Sequence, residues 1–261
     1  MKNRDKMIIA VLTILVAFMD MTGIPSVFFV DVRVGDIEPF YFALMVNFLI
    51  IGILVYIVLK YLCPDWKLGL KNGELKREGL AKGLKQYGIA GVIIAIVGFM
   101  AFYVGLRPFD LKPSALKVLV EGVIYYIGVA IVEEVYVRGL LLNLIEKLFG
   151  NHKNRTIIAI VVSSVIFGAG HIFGVLNQPL LVMIGKVVWT VSMGMYLGVI
   201  YKKTNNLWLP VLIHFLINVC AIPYCFSSLS GYAKLSLYII LPAYLLLGIY
   251  SIKLMKSLVK S

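Results

Sequence analysis

Nine consecutive residues decide how this chain must fold: Ile131-Val132-Glu133-Glu134-Val135-Tyr136-Val137-Arg138-Gly139. Two adjacent carboxylates and one arginine stand in the middle of a run that is otherwise apolar enough for lipid. Each ionisable side chain at bilayer depth costs on the order of 2.5–3.5 kcal/mol on insertion scales. Such a cluster is either an ion pair that joins two helices or a reaction centre, and the rest of the sequence has to distinguish the two.

The composition predicts a membrane protein. The chain of 261 residues is 61% hydrophobic and has a mean hydropathy of +0.95, whereas soluble domains are about 45–50% apolar. A net charge of +12 would suggest a nucleic-acid partner for a soluble protein. Here the basic residues lie between apolar runs, as the positive-inside rule describes, so the lipid bilayer is the expected partner and no nucleic acid is expected.

Eight apolar runs predict an all-α polytopic membrane protein with about eight transmembrane helices in one integral domain, residues 1–261. The predicted spans are 7–30, 40–62, 88–106, 118–149, 156–173, 180–201, 207–226 and 235–254. Most lysines and arginines then fall on one side, which predicts a multi-pass protein of the cell membrane with both termini in the cytosol. Residues 64–87 mix lysine with leucine and are predicted to form a basic amphipathic cytosolic loop.

Two histidines join the glutamates at membrane depth. His171 and His214 lie inside predicted spans, whereas His152 lies in a basic loop. Glu133 and His171 are each about 22–24 Å along their helices from that loop, so they can meet at one level. His214 is only about 10 Å from the start of its span, so tilt or a low entry point is needed to bring it to that level.

The spacing of these residues places their side chains in pairs. Glu134 and Arg138 are four residues apart and face each other one turn away, whereas Glu133 points about 100° around the helix and is available to another partner. His214 and Asn218 share one face of their span in the same way. A carboxylate and an imidazole can together take a proton from water, and a second imidazole with an amide group can stabilise an oxyanion.

Several other polar residues and glycines are interpreted as packing residues. Ser163 and Ser164 are predicted to pack at helix contacts, and Lys186 and Trp189 to snorkel or to pack. Helix–helix hydrogen bonds or interface contacts are predicted for Asn47, Glu121 and Asn143. Gly168 and Gly170 remove bulk beside His171, which lets a neighbouring helix or a substrate backbone approach closely.

The motifs resemble a known family. They are Glu133-Glu134-x-x-x-Arg138, Phe167-x-x-x-His171 and His214-x-x-x-Asn218, with the flanking pairs Ser163-Ser164 and Leu207-Trp208 and the proline Pro210. Together they resemble the CPBP family, also called the Abi or CAAX-protease-like family, whose members are membrane-embedded endopeptidases. The resemblance covers about residues 118–226, which we take as the predicted catalytic core.

The resemblance implies an intramembrane endopeptidase of the glutamate type, independent of metal and cofactor. The implied roles are water activation by Glu133 and His171, an oxyanion hole of His214 and Asn218, and support from Glu134, Arg138 and Phe167. Val137 stands where the family commonly has an aromatic residue, a departure that concerns packing beside Arg138. The implied substrates are membrane-associated or lipid-anchored peptides, in bacteriocin processing, self-immunity or signal-peptide maturation.

Other classes of function remain open at this stage. A zinc peptidase could use Glu133, His171 and His214 as ligands, although no His-Glu-x-x-His helix is present. A non-catalytic membrane scaffold or immunity protein could retain the same fold, and a transporter could use the buried charges as a proton relay. The sequence leaves the oligomeric state open.

Overall fold

The computed structural model describes residues 7–9, 11–12, 39–66, 68–69, 77–105, 115–176, 178–221 and 234–258. The predicted first span, 7–30, therefore lies mostly outside the described residues, and the few residues that are described there are helical. Much of the predicted loop over 64–87 also lies outside them.

From residue 39 onward, helices account for nearly all of the described chain. We number them in chain order: α1 is Pro39–Leu62, α2 is 77–105, α3 is 115–148, α4 is Arg155–Gly170, α5 is Leu180–Thr204, α6 is Trp208–Cys220 and α7 is Lys234–Met255. A short 3-10 turn, Phe173–Val175, lies between α4 and α5. No strand occurs among the described residues, which confirms the all-helical prediction for that part of the chain.

The described helices have the lengths and surfaces of a membrane protein. The candidate spans among them are Ala43–Leu62, Leu80–Ala101, Leu180–Thr204 and Leu237–Met255, while α4 and α6 are apolar but shorter. Large apolar side chains such as Ile53, Leu54 and Leu246 are about half exposed or more. A surface of this kind is suited to contact with lipid tails.

α2 begins earlier than the sequence indicates. It starts with Arg77–Gly83, continues through the π-helical segment Leu84–Gly88, and ends with Ile89–Gly105. The leucines of this region, Leu80 and Leu84, pack against the apolar cluster that includes α6. Burial against α6 therefore draws the end of the predicted surface loop into the bundle.

α3 is the long helix that carries the opening motif. It consists of Ala115–Glu134, the π-helical segment Val135–Leu142, and Asn143–Leu148. At about 1.5 Å per residue it is close to 50 Å long, so it exceeds the roughly 30 Å hydrocarbon core of a bilayer. The sequence predicts a continuous helix here, but it does not predict the π-helical segment, which carries Arg138.

The helices enclose two apolar clusters. α3 packs against α1, α4 and α6, α5 packs against α4 and α7, and α2 packs against α6 and α7. One cluster centres on α1 and α3, and the other on α2, α5, α6 and α7. Tyr136 packs against both clusters, so they meet beside the π-helical segment of α3.

Candidate active site

A solvent-free ion pair lies at the centre of the site. Arg138 Nη1 donates to Glu134 Oε1 at 2.7 Å, and the two side chains are 1% and 0% exposed. This is the contact that the four-residue spacing predicts. Arg138 Nη2 also donates to the carbonyl oxygen of Gly194 at 3.1 Å. The ion pair therefore also joins α3 to α5.

The two adjacent glutamates have different environments. Glu134 is fully buried, whereas Glu133 keeps 16% of its side chain exposed and lines a cavity. Adjacent helical residues point about 100° apart, which accounts for the difference. A carboxylate that acts on water has to reach water, so Glu133 is the acid with the suitable position.

His214 brings α6 to both acids. Its Nδ1 lies 2.7 Å from Glu134 Oε1, and its Nε2 lies 3.6 Å from Glu133 Oε2. When Glu134 is ionised it can only accept, so His214 Nδ1 donates and the bond fixes the orientation of the ring. One buried carboxylate thus holds both the guanidinium of Arg138 and the imidazole of His214.

The start of α6 lies within the protein interior, which brings His214 to the two acids. α6 begins at Trp208, and the two preceding residues, Asn206 and Leu207, are already buried. Asn206 Oδ1 accepts a hydrogen bond from the Trp208 backbone N–H at 2.9 Å, which fixes the start of the helix inside the protein. His214 therefore reaches Glu134 although it lies only about 9 Å along α6.

His171 immediately follows the last residue of α4. Its Nδ1 lies 2.8 Å from the Phe167 carbonyl oxygen. Because a carbonyl oxygen only accepts, Nδ1 carries the proton, and the Nε2 of a neutral ring keeps its lone pair. His171 is half-buried and lines the same cavity as Glu133. The ring is therefore oriented for proton acceptance at Nε2.

Phe167 contacts three of the predicted site residues. Its ring packs edge-on against His171, with centroids 4.5 Å apart, and against His214 at 6.1 Å. The guanidinium carbon of Arg138 lies 4.9 Å from the centroid of the same ring, within the range of a cation–π contact. Phe167 therefore separates the two histidines and limits their ring positions.

One cavity of about 290 Å³ is shared by all four residues that the sequence assigns to catalysis. Glu133, His171, His214 and Asn218 each contribute to its wall. The structure therefore brings together residues from α3, from the end of α4 and from α6. A water molecule or a peptide carbonyl in this cavity would meet a carboxylate, two imidazoles and an amide.

Lys186 also lines this cavity, although the sequence predicts that its side chain snorkels or packs and assigns it no role in the site. Its Nζ lies 4.9 Å from the centroid of the Trp189 ring, so the predicted packing contact is present. The position of a lysine within the cavity could not be found from the sequence, because it depends on how α5 is rotated against α3.

Asn143 is a functional candidate that the sequence identifies only in part. Its Nδ2 donates to the carbonyl oxygens of Arg138 at 3.1 Å and of Gly139 at 2.9 Å, inside the π-helical segment. It also contacts Tyr201 Oη at 2.8 Å and accepts from Lys202 Nζ at 2.6 Å on α5. The predicted helix–helix hydrogen bond is thus confirmed. The sequence does not predict the hydrogen bond from Asn143 to the Arg138 carbonyl oxygen.

The small residues of α4 have separate roles. A Cβ at Gly168 would lie 2.4 Å from Val191 and one at Gly194 would lie 2.9 Å from Ser164, so both glycines allow α4 and α5 to approach closely. Gly170 instead faces open space, so no neighbouring helix approaches it, and the approach of a substrate backbone there stays a prediction. Ser164 is buried and donates to the Ile160 carbonyl oxygen, in agreement with a packing role.

The described residues contain no group of three or more His, Cys, Asp or Glu side chains that could hold a metal ion. His214 Nδ1 is bound to Glu134 and His171 Nδ1 to the Phe167 carbonyl oxygen. Nε2 is therefore the atom of each ring that is available to a further partner.

Residues 115–220 match the family model for Rce1-like proteins, described as type II CAAX prenyl endopeptidases. The match begins at the first residue of α3 and ends at the last residue of α6. It includes every residue that the sequence assigns to the site. No curated protein matches the chain.

Proposed function

We propose that the protein is an intramembrane glutamate endopeptidase. The premise is that residues 115–220 of this chain match the Rce1-like family of type II CAAX prenyl endopeptidases. The observation that carries the proposal is the shared cavity, where Glu133, His171, His214 and Asn218 meet above a buried ion pair. An ion pair that only joined helices would not require two histidines and an amide around a second carboxylate.

In this proposal Glu133 and His171 activate the water. The Nε2 of a neutral His171 carries a lone pair because Nδ1 donates to Phe167, and the Glu133 carboxylate faces the same cavity. Proton transfer from water to this pair leaves a hydroxide that attacks the peptide carbonyl carbon. When the C–N bond breaks, the same proton passes to the departing amine, so the enzyme returns to its starting state.

His214 and Asn218 would stabilise the oxyanion of the tetrahedral intermediate. Because His214 Nδ1 donates to Glu134, a donation from Nε2 to the oxyanion requires that the ring carry both protons. Preorganised donors of this kind contribute about 2.7–4 kcal/mol each to the transition state.

Glu134, Arg138 and Phe167 would act as positioning residues. Glu134 orients His214, Arg138 neutralises Glu134 and anchors it to α5 through Gly194, and Phe167 packs against both histidines. None of the three needs to touch the substrate. Their replacement is therefore expected to lower the rate by displacing the histidines.

The proposed substrates are peptides or lipid-anchored proteins at the membrane, because the reacting groups lie among apolar helices. Bacteriocin processing, self-immunity and signal-peptide maturation are the processes that fit a small protein of this kind. We place the protein in the cell membrane with both termini in the cytosol, from the distribution of its lysines and arginines.

The proposal is tested by mass spectrometry of secreted and membrane-bound peptides from cells that carry either the natural protein or Glu133→Gln. Peptides with new termini should appear only with the natural protein. Glu121→Gln serves as the matched control, since it removes a carboxylate from the same helix but from outside the cavity, and it should keep the peptide pattern.

A chelator arm of the same experiment separates the metal-dependent alternative. Cleavage that persists in the presence of a zinc chelator is the result that the proposal requires. Identical peptide patterns for the natural protein and Glu133→Gln, with both variants folded in the membrane, would favour a non-catalytic scaffold or a transporter instead.

A further inference from the structure

We propose that Lys186 binds a carboxylate of the substrate, so that the site selects peptides by an anionic group as well as by membrane association. This inference rests on the proposed function, because it assigns a specificity-determining residue to the same cavity. Lys186 lies on the second turn of α5 and lines the cavity together with Glu133, His171 and His214.

The charges around the cavity leave Lys186 without a dedicated counter-ion. Arg138 and Glu134 neutralise each other at 2.7 Å. Glu133 lines the same cavity, yet no salt bridge to Lys186 occurs within the described part of the chain. A partly desolvated ammonium group at membrane depth is stabilised by an anion that comes with the ligand.

Two aromatic rings, Trp189 and Tyr244, form the part of the cavity wall beside the Lys186 ammonium group. Lys186 Nζ lies 4.9 Å from the centroid of Trp189, one turn further along α5, and Trp189 packs at 6.4 Å against the ring of Tyr244 on α7. A cation–π contact of this kind positions a cation without neutralising it. The ammonium group is thus positioned at the wall of the cavity.

The rest of this wall is suited to an apolar peptide segment. Met193, Ile240 and Tyr244 line the cavity beside Lys186. A substrate with its scissile bond at Glu133 could place apolar side chains against this wall and a carboxylate at Lys186. The carboxylate could be the terminal group of the peptide or the side chain of an acidic residue, and both have the same chemistry.

The test uses N-palmitoylated peptide pools of mixed apolar sequence in phosphatidylcholine vesicles that contain the full-length protein. One pool ends in a free carboxylate, the second ends in an amide, and the third ends in an amide but contains one aspartate. Initial cleavage rates are measured for the natural protein, Lys186→Gln and Lys186→Arg. Lys203→Gln is the matched control, because it removes a positive charge from the same helix outside the cavity.

We expect the natural protein to cleave one carboxylate-bearing pool at least tenfold faster than the plain amide pool. Lys186→Gln should bring the ratio of the carboxylate rate to the amide rate close to one, whereas Lys186→Arg and Lys203→Gln should keep the preference. Preference for the first pool identifies the terminal carboxylate, and preference for the third identifies the acidic side chain. Equal losses for all pools in Lys186→Gln would overturn the proposal, because they indicate a role in positioning Glu133 or in folding.

A binding measurement separates this proposal from the proposed function. Glu133→Gln should retain the carboxylate-bearing peptides more tightly than the amide peptides in the same vesicles, and Glu133→Gln combined with Lys186→Gln should not. Equal retention of all pools by Glu133→Gln would contradict the role of Lys186. Cleavage by Glu133→Gln at the natural rate would instead contradict the proposed function.

Discussion

At the scale of single residues, the site depends on the compensation of buried charge. Glu134 accepts from both Arg138 and His214, and its buried position leaves no water to replace either partner. Removal of one member of a buried ion pair typically costs about 3–5 kcal/mol, because the other charge remains uncompensated. The opening motif predicts the ion pair from spacing alone, whereas the contact with His214 required the packing of α6 against α3.

The ion pair gives a prediction about stability. Arg138→Met should lower the free energy of unfolding by about 3–5 kcal/mol, since it leaves the Glu134 carboxylate buried with only His214 as a partner. Arg138→Met combined with Glu134→Gln should be less destabilised than Arg138→Met alone. Reversible unfolding in bicelles measures both values. Purely additive losses in the double variant would show that the two side chains are not energetically coupled.

At the scale of elements, side-chain hydrogen bonds support the backbone of two π-helical segments, and α5 takes part in both. Asn143, held by Tyr201 and Lys202 of α5, donates to the carbonyl oxygens of Arg138 and Gly139. In α2, Tyr196 of α5 donates to the Tyr87 carbonyl oxygen and accepts from the Gly91 N–H at 3.0 Å. α5 therefore contacts the π-helical segment of α2 directly and that of α3 through Asn143. Local sequence patterns do not contain these contacts, so they predict two regular helices.

Asn143 allows a prediction for the π-helical segment of α3. Asn143→Leu keeps a similar volume but removes the donor, so the two carbonyl oxygens lose their side-chain partner. Each unsatisfied buried group costs about 1–3 kcal/mol, and we also expect slower peptide cleavage because this segment carries Arg138. Thermal unfolding and cleavage rates in vesicles measure the two effects.

A second asparagine provides the control for this prediction. The amide nitrogen of Asn47 is buried and has no hydrogen-bond partner among the described residues. Asn47→Leu should therefore be neutral or stabilising and should leave cleavage unchanged. Similar losses for Asn47→Leu and Asn143→Leu would indicate that the volume, and not the hydrogen bonds of Asn143, is responsible.

The end of α3 should respond to pH. Burial raises the pKa of Glu146, but the charge of Lys202 at 2.5 Å, with hydrogen bonds from Lys202 and Thr156, outweighs it, so the pKa is lower than usual. The contact of α3 with α5 therefore adds stability above the unfolded-state pKa of about 4.3. That stability should be lost as the pH falls through the lower folded-state pKa.

The measurement for this pair is the unfolding midpoint as a function of pH. The difference between the natural protein and Glu146→Gln should be largest above about pH 4.3 and should shrink as the pH is lowered further. A difference that stays constant down to the lowest accessible pH would show that the Glu146 carboxylate does not contribute through its charge.

At the scale of the whole molecule, two helices end beside the cavity, which is lined by His171 after α4 and by Ala221 after α6. α4 has 16 residues and α6 has 13, which correspond to about 24 Å and 20 Å, shorter than a bilayer core of roughly 30 Å. Non-helical backbone at membrane depth is tolerated where it is enclosed by protein or lines a hydrated cavity. The end of α4 at Gly170 therefore places His171 at such a cavity.

The sequence predicts the site better than the exact elements that build it. Motif spacing predicts the contact of Glu134 with Arg138, and the positions of Glu133 and His171 along their helices predict their common level. The early start of α2, the π-helical segments and the presence of Lys186 in the cavity depend on contacts between distant helices. Hydrophobic periodicity within one segment contains no information about those contacts.

The proposed orientation can be tested with single cysteines. In a variant without Cys63, Cys220 and Cys225, a cysteine in place of Lys153 should react with a membrane-impermeant maleimide only in inverted vesicles. A cysteine in place of Gln178, which lies beyond α4 at its other end, should react only in intact cells. The opposite pattern would reverse the proposed orientation, and reaction of both from one side would contradict the crossing by α4 and its neighbours.

The most direct test of the central claim is hydrolysis by the purified protein in vesicles made up in water enriched in ¹⁸O. We predict that N-palmitoylated peptides are cleaved with one ¹⁸O atom in the new carboxylate, that a zinc chelator has no effect, and that Glu133→Gln lowers the rate at least a hundredfold. Cleavage at the natural rate by folded Glu133→Gln, or no cleavage by the natural protein of any membrane-bound peptide pool, would contradict the account.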